Sequence, residues 1–380
     1  GAFRSIRSSL RSLATEGLEL ISGRDCAALD IGCSDGTLLS FYPRWVDRYG
    51  VDPSDHVDQI GEWAWTAKAE FPSADIDRAF NGKKFDLITA ASVLEEIDEP
   101  RAFFARVKSL LTDDGVFALE TLYAGMALTG TAADAFASGV SAVYSISVLE
   151  RTLRDCDLKI FRGALTEKDG GSIRLFITHV DCADYDFDPW YERLAQLWDE
   201  ENALCLRARA PYQAFERRAE DARRAFEAIM IDAAKRGEKV HIFGTDAGAV
   251  IFYAWAGKGA HAIEAAIGVG EIEDGARLFA GGPMIIPENE SRAIEPDCII
   301  APASLKRETL ERWRDPILRG AKVVIATPHP QIIHQGNYAA EFGKSLSGGD
   351  GAGGSESLRA ILKAAGGLRL VADNGGRKSA

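Results

Sequence analysis

The 380-residue chain has six cysteines, Cys26, Cys33, Cys156, Cys182, Cys205 and Cys298, and no two of them form a Cys-x-x-Cys pair. Neither a zinc ribbon nor a disulfide framework is expected, and the thiols read as reduced. No apolar run is long enough to span a bilayer, and Gly1-Ala2-Phe3-Arg4 does not begin a signal peptide, so the expectation is a cytoplasmic protein without a membrane partner. Basic residues are in short supply: 44 Lys and Arg face 57 Asp and Glu, for a net charge of −13. That balance lacks the basic footprint a phosphate backbone requires, which excludes nucleic acid as the main partner. The histidines His56, His179, His241, His261, His329 and His334 include no pair at helical metal-ligand spacing. No metal is expected. Also missing is Gly-x-Gly-x-x-Gly, which argues against a dinucleotide site.

What the chain does have is a composition of 46% hydrophobic and 27% charged residues over a length that fits two α/β domains. Its most informative stretch is Leu29-Asp30-Ile31-Gly32-Cys33-Ser34-Asp35-Gly36, followed by Tyr49-Gly50-Val51-Asp52. Ala27, Ala28 and Leu29 read as a buried strand, the glycines allow a tight turn against a ligand, and Asp52 closes a second strand. An acid at that tip can accept hydrogen bonds from both hydroxyls of a ribose. The Gly-x-x-x-Gly loop suits a nucleoside with a small zwitterionic tail better than a pyrophosphate, and S-adenosylmethionine is such a ligand.

Strand candidates Ala27–Ile31, Tyr49–Asp52, Phe85–Ala90 and Gly115–Thr121 alternate with helix candidates Thr37–Phe41, Gly61–Ala69 and Arg101–Leu111, after a leading helix over Arg4–Ile21. Asp113-Asp114-Gly115 reads as a turn closing the last helix. This series predicts a parallel sheet with helices on both faces and a ligand crevice at the strand carboxyl ends. A helix over Tyr144–Cys156 and strands Leu158–Leu165 and Ser172–Val180 would complete seven strands by residue 185. Residues 186–237 read as a helical connector, with Tyr191–Lys235 interrupted at Pro211. A second Rossmann-like domain follows over 238–335, with strands Val240–Gly244, Ala262–Val269, Asp297–Ala301 and Lys322–Ala326 and a helix over Ala249–Trp255. Residues 336–380 read as a Gly/Ser-rich tail with a short helix and strand.

The order of these parts resembles the bacterial C-methyltransferases that act on nucleotide-linked keto-deoxysugars. The stretches that carry the resemblance are Leu29 to Leu39, Val51-Asp52-Pro53, Phe85 to Ala90, Gly170-Gly171-Ser172-Ile173-Arg174 and Phe243 to Ala249, within residues 4–335. It implies a methyltransferase domain followed by a Rossmann-like domain, with a nucleotide sugar as the small-molecule substrate. Three features depart from the family. Its N-terminal zinc-binding cysteine domain has no counterpart in these 380 residues, and the histidine that usually precedes Gly-Gly-Ser is Asp169. The family's Tyr-His-Glu-His cluster falls on Ala137-Ser138-Gly139-Val140, with Tyr144-Ser145 retained. Methylating a carbon beside a ketone needs a base for the carbon-bound proton and a partner for the enolate. Those four residues supply neither, so transfer to oxygen is the easier chemistry.

The candidate cofactor-binding residues are therefore Asp30, Gly32, Cys33, Ser34, Gly36, Asp52 and Pro53, with Ala90 and Ser92 at the next strand end and Asp75 as an acceptor for the adenine amino group. The catalytic candidates are Asp169, which also reads as a solvated turn aspartate, Tyr144, which also reads as helix-start packing, and Glu120, which also reads as a satisfied core acid. The expected protein is an α/β methyltransferase using S-adenosylmethionine on a small polar substrate, a nucleotide-linked sugar or glycan precursor. An O- or N-methyltransferase of another metabolite, and a cofactor-binding scaffold without chemistry, remain open.

Overall fold

A computed structural model describes residues 3–21, 25–133, 140–166, 168, 171–245, 247–270 and 272–347. The first half opens with helix α1 (Arg4–Glu19) and strands β1 (Ala27–Ile31), β2 (Asp47–Asp52) and β3 (Trp65–Lys68). Helix α2 (Asp75–Phe80), β4 (Phe85–Ala91), α3 (Pro100–Leu110), β5 (Leu111–Leu122), α4 (Ala124–Thr129), α5 (Ile146–Arg154), β6 (Leu158–Thr166) and β7 (Ser172–His179) follow. These strands form one sheet in the order β3-β2-β1-β4-β5-β7-β6. The first five are parallel and β7 runs antiparallel to both its neighbours. Because β7 starts opposite Leu122, the turn between β6 and β7 lies at the same edge as the carboxyl ends of β1, β2, β4 and β5. That edge carries the site.

Two expected helices are absent. Thr37–Phe41 contains only a single 3-10 turn over Leu39–Phe41, where the Asp35 carboxylate holds both the amide and the hydroxyl of Thr37 and Leu38 and Leu39 are buried. Gly61–Ala69 contains a 3-10 turn and then β3, which pairs with β2, buries Ala67 and stacks Trp65 on Tyr49 at 4.9 Å. Aromatic and β-branched neighbours favour that pleated edge over a helix. The turn expected at Asp113-Asp114-Gly115 lies inside β5, where the register against β4 slips between Leu111 and Val116.

Helices α6 (Asp188–Ala203) and α7 (Ala210–Arg236) form the connector. Pro211 sits in the first turn of α7, where no amide partner is lost, so the break precedes it. The second domain comprises β8 (Val240–Phe243), α8 (Ala247–Trp255), β9 (Ile263–Gly268), β10 (Met284–Pro287), α9 (Glu288–Ile294), β11 (Cys298–Ala301), α10 (Lys306–Arg312), α11 (Arg314–Arg319), β12 (Lys322–Ile325) and β13 (Gln331–Ile333). Its sheet has the order β10-β9-β8-β11-β12-β13, parallel except for β13. Helix α12 (Tyr338–Ser347) occupies part of the stretch expected as tail, and the helix and strand expected within Ser357–Val371 lie outside the described residues. Among the described residues no helix is long and apolar enough to cross a membrane.

Helix α1 ties the halves together. Leu13 and Ala14 are buried against the first sheet, while Phe3 meets Phe243 edge-on at 5.9 Å and the Arg4 amide donates to Glu308 at 2.9 Å. Its polar side is clamped by Arg174 on β7, which donates to Glu120 at 2.9 Å, to Ser12 at 2.8 Å and to Glu16. Ser9 donates to the other Glu120 oxygen at 2.8 Å. Arg174 and Glu120 are both buried, so removing one partner strands the other's charge. Arg174→Met should cost about 3–5 kcal/mol of unfolding free energy, read from urea denaturation; a loss under about 1 kcal/mol, the worth of an exposed pair, would contradict the clamp.

Candidate active site

The loop after β1 is built for close approach. Gly32 has φ +73°, and a Cβ there would lie 2.4 Å from Val93 Cγ2. Gly36 has φ +74°, with Ile60 pressing within 2.9 Å of a would-be Cβ. Any side chain would force this loop away from the sheet. Between them Ser34 also adopts positive φ, and its amide donates to Asp52 Oδ2 at 2.9 Å. The Ser54 amide donates to Asp52 Oδ1 at 2.8 Å. Asp52 is thus fixed at the tip of β2, bound to the glycine loop on one side and to its own turn on the other. Pro53 is exposed beside it.

Asp30 lies under the loop, 3% exposed, accepting from Thr89 Oγ1 at 2.7 Å, and the Tyr42 hydroxyl donates to Thr89 at 3.3 Å. Burial pushes its carboxyl up to about 7, the Thr89 bond opposes that, and the charge of Asp52 adds to it. Cys33 belongs to the same loop. The thiol faces inward, so close to Gly50 that a Cβ there would lie 2.7 Å from Sγ, and burial raises its proton affinity. Only its backbone belongs to the loop surface. Asp75 is exposed in the first turn of α2 and paired with Arg78.

At the next tips, Ala90 is buried opposite Ile31, and Ser92 turns outward with φ +54° while its amide donates to the Glu120 carbonyl at 2.9 Å. The Glu120 side chain is spent in the Arg174 clamp and also accepts from Thr166 at 3.2 Å. Both of its carboxylate oxygens are taken up by donors from other elements, so of its two readings the structure has the satisfied core acid. Tyr144 is buried, pairs with Tyr123 in an isolated parallel bridge, and accepts from the Ala124 amide at 2.9 Å through its carbonyl. Burial and then the charge of Glu95 raise its hydroxyl above the usual tyrosine range. Asp169, Gly170, Ala137, Ser138 and Gly139 lie outside the described residues, while Val140 packs against Leu122 and Ala132.

Two residues that the sequence did not single out join this edge. Glu95, buried just beyond Ser92, accepts from the Leu122 amide at 2.7 Å, and its own carbonyl accepts from the Ser141 amide at 2.7 Å. Lys168, from the turn between β6 and β7, donates through Nζ to Ser92 Oγ. An acid three residues past a strand tip, and a lysine beside the suspected Asp169, were the available signals.

Residues 5–162 match the family model of a methyltransferase domain, and residues 167–328 match that of a C-methyltransferase C-terminal domain. The chain is an S-adenosylmethionine-dependent methyltransferase. No curated protein matches it. Among solved structures, a S-adenosylmethionine-dependent methyltransferase from Clostridium acetobutylicum is 16% identical over 45% of this chain and 91% of its own, with a TM-score of 0.37. Magnesium protoporphyrin IX methyltransferase from Synechocystis, solved with its cofactor, is 16% identical over 46% of this chain and 80% of its own, with a TM-score of 0.35. At those scores the likenesses carry no weight beside the two family models and the strand order. The loop of this methyltransferase has the features its cofactor needs: a Cβ on Gly32 would collide with Val93, so backbone alone faces out there, and two amides hold the Asp52 carboxylate at the tip of β2.

Burial of Asp30 has a thermodynamic signature. A carboxyl raised from its unfolded value near 4 to about 7 in the folded state contributes stability that is fully present below about pH 4 and is lost as pH rises through about 7. Without cofactor, Asp30→Asn should remove that loss, on the order of a few kcal/mol at about 1.4 kcal/mol per tenfold change in proton affinity. Urea midpoints at pH 5 and pH 8 check it; equal pH slopes for the wild type and the variant would contradict it.

Proposed function

We propose that this methyltransferase transfers a methyl group to a hydroxyl oxygen of a nucleotide-linked sugar, with the sugar at the carboxyl ends of β4 and β5 and the nucleotide reaching the second domain. In this reading Asp52 accepts both ribose hydroxyls of the cofactor through its outward lone pairs, with Pro53 beside it. Gly32, Ser34, Gly36 and the Cys33 backbone cradle the nucleoside and amino-acid portions, Asp30 faces the cationic tail, and Ala90 and Ser92 flank the methyl-bearing end. S-adenosylmethionine supplies a methyl activated on a sulfonium. The residues are left with alignment and proton removal.

The observation that carries the reading is the second doubly wound sheet and its link to the first. In such sheets ligands occupy the crevice at the strand carboxyl ends. Phe243, the last residue of β8, is bridged to the first domain by Phe3 just ahead of α1, and Glu308 of α10 holds Arg4. A second observation favours oxygen as the acceptor. His179 lies at the end of β7 away from the Ser172 edge, His56 follows β2, and the other four histidines belong to the second domain. The β4, β5 and β7 tips therefore hold no imidazole for enolisation. Carbon transfer by another route is the competing reading, favoured by the C-methyltransferase C-terminal domain match over 167–328.

Asp52→Ala should weaken S-adenosylhomocysteine binding by about 1.5–3 kcal/mol, the worth of hydrogen bonds to a charged group, in calorimetric titration. Unchanged affinity would remove Asp52 from the cofactor site. Incubation with labelled methyl donor and a panel of nucleotide sugars, followed by NMR of the product, should give a methyl bonded to oxygen; a new carbon–carbon bond would establish the competing reading.

A further inference from the structure

Lys168 and Gly171, the described residues between β6 and β7, lie at the β4 and β5 tips and are held by backbone bonds. The Lys168 carbonyl accepts from the Gly171 amide at 2.9 Å and from Ser172 Oγ at 3.0 Å. The Gly171 carbonyl in turn accepts from the Tyr123 amide at 3.1 Å, docking the turn on the end of β5. Gly171 has φ +134°, and a Cβ there would lie 2.4 Å from Met126 Cβ, so α4 packs directly against it. The backbone of Lys168 is thereby held above the crevice, and its Nζ reaches Ser92 Oγ at the tip of β4. Strand β4 is the neighbour of β1 on the side away from β2, so Nζ stands beyond Asp30 and the glycine loop, toward the acceptor rather than the nucleoside.

We propose that Lys168 is the general base of methyl transfer, its Nζ taking the proton of the acceptor hydroxyl. The inference rests on the hydroxyl reading above. A hydroxyl is a weak nucleophile until its proton is leaving, and among the described residues of this edge Glu120 is bound by Arg174, Glu95 is buried on the Leu122 amide, and the strand tips hold no histidine. A lysine near a second cation is shifted toward its neutral form, and the sulfonium is such a cation. Ser92 Oγ occupies the position an acceptor hydroxyl would take on Nζ. In the step, the oxygen lone pair bonds to the methyl carbon while the methyl–sulfur bond breaks with its electrons on sulfur. The hydroxyl proton passes to the Nζ lone pair, and the ammonium then returns it to water. Cation and hydroxyl become neutral thioether, methyl ether and one released proton.

Lys168→Arg separates a base from a mere positive charge, because a guanidinium keeps the charge but does not give up its proton. Both Lys168→Arg and Lys168→Met should lower kcat by about 10²–10⁴-fold, the usual worth of a general base, with S-adenosylhomocysteine affinity within about threefold of wild type, since Nζ is placed outside the cofactor loop. Retained kcat in the arginine variant would overturn the proposal. A second readout needs neither turnover nor a variant: NMR titration of side-chain-labelled lysine in the wild-type protein. The Lys168 signal should titrate at lower pH with S-adenosylmethionine bound than with neutral S-adenosylhomocysteine; a midpoint equal to that of exposed lysines in both complexes would overturn the assignment. If the wild type makes a carbon–carbon bond or turns over no nucleotide sugar, the hydroxyl reading fails, and the lysine titration still decides whether Lys168 is poised as a base.

Discussion

The first sheet changes direction between β1 and β4, and most of the site follows from that one constraint. Chain leaving β1 runs outward through β2 to β3 and then returns to the other side of β1 as β4. The loops leaving β1 and β4 therefore diverge to opposite faces and leave an opening at their carboxyl ends, where such sheets bind ligands. Everything chemical lines that opening. Asp30 lies on Thr89 beneath it, the Gly32–Gly36 loop and Asp52 stand at the β1 and β2 tips, and Ser92, Glu95 and Lys168 stand toward β4 and β5. Gly32 leaves room for the Val93 side chain where the two loops approach each other, since a Cβ there would lie 2.4 Å from Val93 Cγ2.

The opening has to be held rigid from outside the parallel strands, and three long-range ties do so. Arg174 on β7 reaches Glu120 on β5 and Glu16 and Ser12 on α1. Arg218 on α7 donates to Thr131 at 2.9 Å and to the Leu128 carbonyl at 2.6 Å, fixing the segment after α4. Glu201 on α6 accepts the Ile146 and Ser147 amides at 2.6 and 3.0 Å and so caps α5. Helices α6 and α7, which read as a connector in the sequence, thus brace α4 and α5 of the first domain. The second domain is coupled through the same two long elements, α1 and α7, so the halves are braced together and not simply strung in series.

Those features that depend on neighbours in sequence were legible before the fold was known. Leu29 to Gly36 form a strand and a glycine turn in one continuous run, Asp52 ends the very next strand, and Gly171 directly precedes β7. What failed was decided at a distance or by an edge. β3 has exposed Trp65 and Thr66 and only Ala67 buried, so it lacks the apolar signature of an inner strand and was read as helix. Glu95 finds Leu122 across 27 residues and Lys168 finds Ser92 across 76, so neither could be singled out from local pattern. Glu120 looked available at a strand end until Arg174 and Ser9 arrived from two other elements.

The account's central claim is that the cofactor occupies the opening at the carboxyl ends of β1, β2 and β4. Its most direct test is a crystal structure of the protein grown with S-adenosylhomocysteine. The account predicts both ribose hydroxyls on the Asp52 carboxylate and the thioether sulfur facing Ser92 and Lys168. A nucleoside seated instead at the carboxyl ends of β8 and β9, in the second domain, would contradict it.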